Sequence, residues 1–273
     1  MIDGLTSDKR FAGPVPEIYD TYLVPMIFQR YADDIADRVG ARQPARVLEV
    51  AAGTGVVTRA LVKALPASTV IVATDLNPAM LDRAQAIGTT RPVDWRQADA
   101  MQLPFADAQF DVVVCQFGAM FFPDKARAFA EVRRVLRANG AFIFNIWDGI
   151  EENDFALTVT EALSTLFADD PPMFLARTPH GYHERSLIEH DLRAGGFSGD
   201  VSFEVVRDSS RADTPDTVAF AYCQGTPLRF EIEARGPDAL SRATQACNVA
   251  IAERFGPGPI DGQIQAQVVI ANT

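Results

Sequence analysis

Cysteine is scarce in this chain of 273 residues: only Cys115, Cys223 and Cys247 are present. None forms a Cys-x-x-Cys pair, and no histidine stands at metal-ligand spacing from them, which argues against a structural zinc site. Three cysteines give no disulfide framework either, the usage of a reducing compartment. Basic residues are also in deficit. The 25 Lys and Arg are outnumbered by 36 Asp and Glu, for a net charge of −11. Nucleic acid and anionic membranes are held by basic surfaces, so neither is expected as the main partner. Arg133, Arg134 and Arg137 cluster, but read as one solvated helix face. Apolar runs are short: none approaches the ~18 residues of a membrane span. The N-terminal stretch holds Asp3, Asp8, Lys9, Arg10, Pro14 and Pro16 in place of the apolar centre of a signal peptide. The expectation is a soluble, cytoplasmic protein with a small-molecule substrate, no nucleic-acid partner and no integral membrane segment, as a monomer or homodimer.

What is present is an ordinary globular mix, 48% hydrophobic and 22% charged. The length suits one large domain, or a core with a subdomain. The informative stretch runs from Ala45 to Thr58. Val47, Leu48 and Val50 form a short apolar strand that Glu49 interrupts, and Gly53 and Gly55 mark a tight turn into a helix. A purely structural strand has no use for a carboxylate there. Before it, residues 1–16 read as a loose arm. Tyr22, Leu23, Met26, Ile27, Tyr31, Ile35 and Val39 recur at helical steps, with a break or kink expected at Pro25.

Downstream, strand and helix alternate. Thr69–Thr74 is a β-rich run ending at Asp75, and Asn77-Pro78 is a helix start. Val93–Ala98 is a third strand ending at Asp99. Phe110–Cys115 is a fourth. A helix follows Pro123, with Asn139-Gly140 as its C-terminal cap, and Ala141–Trp147 is a fifth strand. Four such alternations with short connections describe a doubly wound α/β sheet with parallel strands. Ligands of such sheets bind outside the carboxyl ends of the strands. Later residues are less regular: a helix near 153–167, a Pro-rich loop over 169–181, a helix from Leu187 to Ala194, an alternating strand at 201–206, a helical region from Thr214 to Phe255 broken at Gly225-Thr226-Pro227 and Gly236-Pro237, and a β-like C-terminus.

Asp75 follows Gly55 by about twenty residues, the spacing at which an acidic side chain takes both ribose hydroxyls of a nucleoside. That alone leaves NAD and S-adenosylmethionine open. Three features separate them. An NAD fingerprint needs a third glycine where this chain has Thr58. A pyrophosphate favours a neutral or positive turn, whereas Glu49 attracts a cationic, amino-acid-like tail. Asp99 can accept from an exocyclic adenine amine.

The ordered set Val47–Gly55, Thr74–Leu81, Gln97–Phe105, Phe110–Phe117 and Glu131–Gly140 resembles the class I S-adenosylmethionine-dependent methyltransferases, especially the small-molecule branch that includes ubiquinone/menaquinone-biosynthesis enzymes. The resemblance covers over a third of the chain. It implies a Rossmann-like, mostly parallel seven-stranded sheet with an antiparallel C-terminal strand and helical cover segments. The whole chain is then one methyltransferase domain: a helical cover at 1–40, the cofactor core at 41–148, substrate-cover insertions at 149–196 and 212–257, and last strands at 197–211 and 258–273. The cofactor implied is S-adenosyl-L-methionine, with S-adenosyl-L-homocysteine as product. Glu49 and the backbone at Ala51 and Gly53, with Gly55 in the turn, would face the methionine part. Asp75 would hold the ribose, Leu76 and Met80 the adenine, and Asp99 and Ala100 the adenine edge. Gln116 and Phe117 would line the floor near the methyl, and Tyr22 would reach the cofactor carboxylate. Relatives often have Gly where this chain has Ala51, so the turn is expected to be tighter here.

Methyl transfer from a sulfonium needs alignment and exclusion of water more than it needs a base. Catalytic candidates are therefore thin: His180 and His183, for which a surface or structural role is the plainer reading, and Tyr222, in a second candidate pocket wall. Apolar residues of 151–256, including Phe155, Leu163, Phe167, Met173, Phe174 and Phe220, point to an aromatic or lipid-like acceptor. Two other functions stay open on the residues, an NAD-dependent oxidoreductase and a non-catalytic S-adenosylmethionine-binding protein.

Overall fold

The computed structural model describes residues 11–273, so most of the expected N-terminal arm lies outside the described residues. The strands form one seven-stranded sheet: β1 (Arg46–Val50), β2 (Val70–Asp75), β3 (Asp94–Gln97), β4 (Phe110–Gln116), β5 (Leu136–Trp147), β6 (Val201–Ala212) and β7 (Ile260–Asn272), in the order β3-β2-β1-β4-β5-β7-β6. The β1–β2, β1–β4, β2–β3 and β4–β5 pairs are parallel. β7 runs against β5, since Asp148 N donates to Gln265 O while Thr273 N donates to Gly140 O. This is the mostly parallel, doubly wound sheet with an antiparallel C-terminal strand expected from the sequence. Its order reverses between β1 and β4, and a crevice opens at the carboxyl ends of strands at such a reversal.

The chain divides into two compact units. One comprises Gln29–Ile146, Tyr182–Val206 and Gln267–Thr273 and holds most of the sheet. In β1, Val47, Leu48, Glu49 and Val50 are all buried, the pattern of a strand covered on both faces. Phe129 on the helix Lys125–Val135 packs its ring against Phe142 and Phe144 of β5. The helix Gln29–Gly40 buries Tyr31, Ala32, Ile35, Ala36 and Val39, a helical stripe, and packs on the helix Val56–Ala64.

The second unit comprises Trp147–Gly181, Arg207–Ala266 and the described part of Met1–Phe28. Its core is three packed helices, Asp154–Leu166, Pro215–Gln224 and Ala239–Phe255. Phe155, Val159, Leu163, Val218, Ala243 and Ile251 are buried there. Cys223 Sγ lies 3.6 Å from Cys247 Sγ among these helices. The helical breaks expected around Gly225-Thr226-Pro227 and Gly236-Pro237 are present, with a short helix Leu228–Glu233 between them.

Two local expectations change. The segment Tyr19–Phe28, with Pro25 inside it, does not break but widens into a π-helix, continuous with α-helical residues on both sides. Proline has no N–H to donate, and a wider ladder relieves the clash of its ring with the preceding turn. Asn139-Gly140 does not cap the preceding helix, which ends at Val135 with β5 starting at the next residue. Instead Asn139, at φ +64°, sits in an irregularity where Phe110 pairs with Leu136 but Val112 pairs with Ala141. Asn-Gly suits this irregularity for the same reason it suits a cap, since asparagine tolerates the left-handed conformation that Asn139 adopts here. No helix among the described residues is long and apolar enough to cross a membrane.

Candidate cofactor site

The carboxyl ends of β1, β2 and β4 bring together most of the residues singled out in the sequence, all within the sheet-bearing unit. Glu49 is the penultimate residue of β1 and is 1% exposed. Its Oε2 accepts from Thr58 Oγ1 at 2.5 Å, so the residue standing where a dinucleotide fold would have its third glycine serves to orient the carboxyl. Burial is the main influence on Glu49 and pushes its pKa up to about 8, against the lowering effect of the Thr58 hydroxyl and the Arg59 charge. Without a cation beside it, Glu49 is therefore mostly protonated at neutral pH.

The turn after β1 is built from left-handed residues. Ala51 has φ +56°, Gly53 +56° and Gly55 +82°. Ala52 N donates to Thr74 O, which ties the turn to β2. Gly53 N donates to Asp75 Oδ2 at 2.8 Å, and Asn77 N donates to Oδ1 at 2.8 Å. Asp75 is buried, and desolvation raises its pKa despite those two N–H donors. Both left-handed glycines are needed, but for different reasons. A Cβ on Gly55 would come within 2.8 Å of the Trp95 ring, so that glycine serves packing. A Cβ on Gly53 would meet nothing nearer than Met80 Cε at 3.5 Å, so that glycine presents bare backbone beside Met80 and Asp75.

Asp99 uses Oδ1 to accept from Met101 N at 2.8 Å, an Asx-type turn, with Ala100 buried beside it. Ala98 N donates to Asp75 O, which carries this segment to the Asp75 strand end. Leu76 is 45% exposed, an apolar side chain left open next to Asp75. At the end of β4, Gln116 and Phe117 are both buried, and Phe117 adopts φ +48°.

Three residues important to this geometry were not singled out in the sequence. Asn145, in the middle of the apolar strand β5, receives Phe117 N at its Oδ1 (2.9 Å). Its signal was there: it interrupts an apolar run as Glu49 does. Tyr31 packs its ring edge-on to Phe117, with centroids 5.3 Å apart. Gly118 lies against the β1 turn, where an added Cβ would stand 2.5 Å from Ala51 Cβ and 2.8 Å from Cys115 Sγ. The tightening expected from Ala51 is thus accommodated by having no side chain at Gly118. Gly118→Ala should destabilise the protein by about 2–3 kcal/mol through overpacking. Adding Ala51→Gly should recover part of that loss in urea unfolding; no recovery would mean that the Ala51 methyl is not the obstacle.

Tyr22, His180 and Tyr222 belong to the helical unit. Tyr22 is 37% exposed and meets the Phe220 ring edge-on at 5.3 Å. Tyr222 is buried, and burial raises its pKa above the ordinary phenol, so it stays protonated and is unsuited to act as a base. His180 is buried with Nδ1 2.9 Å from Asp148 O. A carbonyl can only accept, so Nδ1 carries the proton and Nε2 is the basic nitrogen of the neutral ring. His183, in the sheet-bearing unit, has Nε2 3.4 Å from Glu184 Oε1. Cys115 is buried, with its thiol pushed up to about 12, and is no nucleophile.

The residues present fit an adenosyl group with a cationic tail. A buried carboxyl with a raised pKa awaits a positive charge, a bare glycine faces Met80 and Asp75, and Thr54 Oγ1 in the same turn is buried without a hydrogen-bond partner. Held there, S-adenosylmethionine would supply an activated methyl.

Comparison with known proteins agrees. Residues 48–144 match the family model described as a methyltransferase domain. Demethylmenaquinone methyltransferase of Deinococcus radiodurans is 39% identical over 105 residues, 38% of this chain and 43% of that protein. The uncharacterized protein Rv1405c of Mycobacterium tuberculosis is 35% identical over 134 residues, 48% of this chain and 47% of that protein. The chain thus spans less than half the length of these relatives. Among solved structures, a phosphoethanolamine N-methyltransferase 2 of Haemonchus contortus, in complex with phosphomonomethylethanolamine and S-adenosylhomocysteine, shares the fold. Its TM-score is 0.62 at 14% identity, covering 100% of this chain and 61% of that one. The stretch that carries most of β1, its glycine turn, Asp75 and Asp99 is thus the stretch that matches a methyltransferase domain, residues 48–144.

Proposed function

We propose that this protein transfers the methyl group of S-adenosylmethionine to a small aromatic or lipid-like acceptor. The observation that carries the cofactor part is the turn itself: Gly53 N bonded to Asp75 Oδ2 at 2.8 Å, one turn away from the buried Glu49 carboxyl. In this reading Asp75 holds the ribose, Met80 and Leu76 contact the adenine, and Asp99 and the Ala100 backbone read its edge. Glu49 and the Ala51–Gly55 backbone face the amino-acid end. Gln116 and Phe117 line the floor. The domain organisation read from the sequence goes with it, the helical segments serving to select the acceptor.

Support for the acceptor class is narrower than composition suggested. Phe155, Leu163 and Phe174 are buried core residues and do not bear on a ligand, which leaves Phe167, Phe220 and the exposed Met173. The similarity to an enzyme named for demethylmenaquinone supports an aromatic acceptor. Reaction needs the nucleophile placed behind the methyl and water kept out. Where the acceptor must also lose a proton, His180 is the best-prepared of the candidates, because its tautomer is set by Asp148 O.

S-adenosylhomocysteine should raise the melting temperature by several degrees at millimolar concentration while NADH leaves it unchanged. The reverse pattern would favour an oxidoreductase. A screen of phenols, quinols, lipids and polar amines with labelled methyl donor then reads turnover. Label confined to polar amine acceptors would overturn the acceptor class, and binding with no turnover on any acceptor would indicate a non-catalytic cofactor-binding protein.

A further inference from the structure

Phe117 is the anomaly of the sheet's carboxyl edge. A bulky aromatic residue at φ +48° is a genuine outlier, because its Cβ crowds the following carbonyl. Such a conformation persists only where its surroundings over-determine it. Here they do. The single Phe117 N–H is received twice by Asn145, at the backbone oxygen (3.1 Å) and at Oδ1 (2.9 Å). Asn145 is 0% exposed and directly opposite Gln116 in the β4–β5 register. Its Nδ2 turns toward Gln116 Oε1 at 3.4 Å, a long bond but one that aligns the Gln116 amide. The Phe117 ring is stopped by Tyr31, whose hydroxyl donates to Val206 O at 3.2 Å. One residue on, Gly118 abuts the Ala51 turn.

A buried asparagine adds nothing to a β-strand that Val or Leu would not do better, and burying its amide is unfavourable unless every polar atom is engaged. Both ends of this amide act on the segment 116–118. We propose that Asn145 is a positioning residue for the cofactor crevice. It touches no ligand, but holds Phe117 in its left-handed state and so fixes the wall that Gln116, Phe117 and Gly118 present beside the glycine turn. This rests on the cofactor reading given above.

The consequence is a population effect. Without the Oδ1 acceptor, the Phe117 backbone drifts toward ordinary negative φ, and only the fraction still left-handed binds. Apparent affinity falls by that fraction, about tenfold if one molecule in ten remains competent. Glycine at this position takes φ +48° without penalty. The need for Asn145 should therefore disappear in a Phe117→Gly background.

The test is a double-mutant cycle read by calorimetric titration with S-adenosylhomocysteine, at a temperature well below each variant's melting point. Asn145→Ala should weaken binding about tenfold in the native background and no more than about twofold in Phe117→Gly. A merely structural asparagine would lower the melting temperature and leave the ratio of these two losses near one. If alanine leaves a cavity that unfolds the strand, Asn145→Leu, of similar volume, replaces it. Unchanged affinity in Asn145→Ala, or an equal loss in both backgrounds, overturns the positioning role. Failure of the native protein to bind S-adenosylhomocysteine at all overturns instead the cofactor reading on which the role depends.

Discussion

Asp75→Ala is expected to weaken S-adenosylhomocysteine binding by about a hundredfold, the effect of losing charge-assisted hydrogen bonds in a dry site. In the proposed reading the carboxylate has two tasks. It accepts from Gly53 N and Asn77 N, and so holds the glycine turn against the end of β2. A carboxylate also has about four acceptor directions, which leaves capacity for the ribose hydroxyls. Removal affects both. The turn loses the partner of two backbone N–H groups, with a stability loss of about 1–3 kcal/mol. Asp75→Asn separates the tasks, since it can accept from one of the two N–H groups but must turn an NH2 toward the other. Its binding should fall between those of alanine and wild type. Calorimetry at a temperature where all three proteins are folded provides the comparison, and alanine binding within threefold of wild type would refute the role of Asp75.

Glu49→Gln is expected to make the ligand-free protein more stable at neutral and alkaline pH while it loses affinity for the cofactor. Burial raises Glu49 from an ordinary 4.5 to about 8. Between those values the unfolded chain has released its proton and the folded chain still holds it. The folded state binds more protons, so stability falls as pH rises. The contribution is fully present below about pH 4.5 and gone above about pH 8, a span on the order of 5 kcal/mol. Asp75, raised for the same reason, adds in the same direction. Carboxylates paired at the surface, such as Glu131 with Arg134, are lowered and act oppositely at acid pH. The informative quantity is therefore the difference in urea-unfolding free energy between Glu49→Gln and wild type. It should grow by several kcal/mol from pH 5 to pH 8, and a flat difference would show that Glu49 is not held protonated.

Ligand binding reverses the preference. An ammonium beside Glu49 favours the ionised form, so the site should release a proton when it fills. Between pH 6 and pH 7.5 affinity should rise with pH, by up to about tenfold per unit, and the calorimetric enthalpy should depend on the buffer's ionisation enthalpy. Both dependences should vanish in Glu49→Gln. Retaining an ionisable group whose ionisation is unfavourable until ligand arrives is a trade of stability for function.

How much of this could be read without coordinates varies by element. The alternation of apolar runs and helical stripes from Val47 to Trp147 dictates a parallel sheet, because period and length depend only on local composition. Glu49 and Asp75 stood out for a related reason, as charged residues at the ends of buried strands, whereas Asp99 follows the mostly exposed edge strand β3 and stood out only by its place in the ordered set. Elements set by a choice between equivalent backbone solutions were not legible. Asn139-Gly140 suits a helix cap and a β-bulge equally, and only the register of β5 on β4 selects the bulge. Pro25 is compatible with a break or a π-helical widening.

By itself, the sequence determined the strands, the turn, and the carboxylates at their tips, since these follow from burial and spacing along the chain. Only the tertiary structure decided what each does. Thr58 is the partner of Glu49, Gly55 yields to Trp95, Gly118 makes room for Ala51, and Asn145 holds Phe117. Except for Glu49 and Thr58, each of these pairs joins residues distant along the chain, and sequence spacing does not encode which side chains meet once strands align. The glycine turn that began as a nucleotide signature is, in three dimensions, a close-packed junction whose one bare surface is at Gly53, beside Met80 and Asp75.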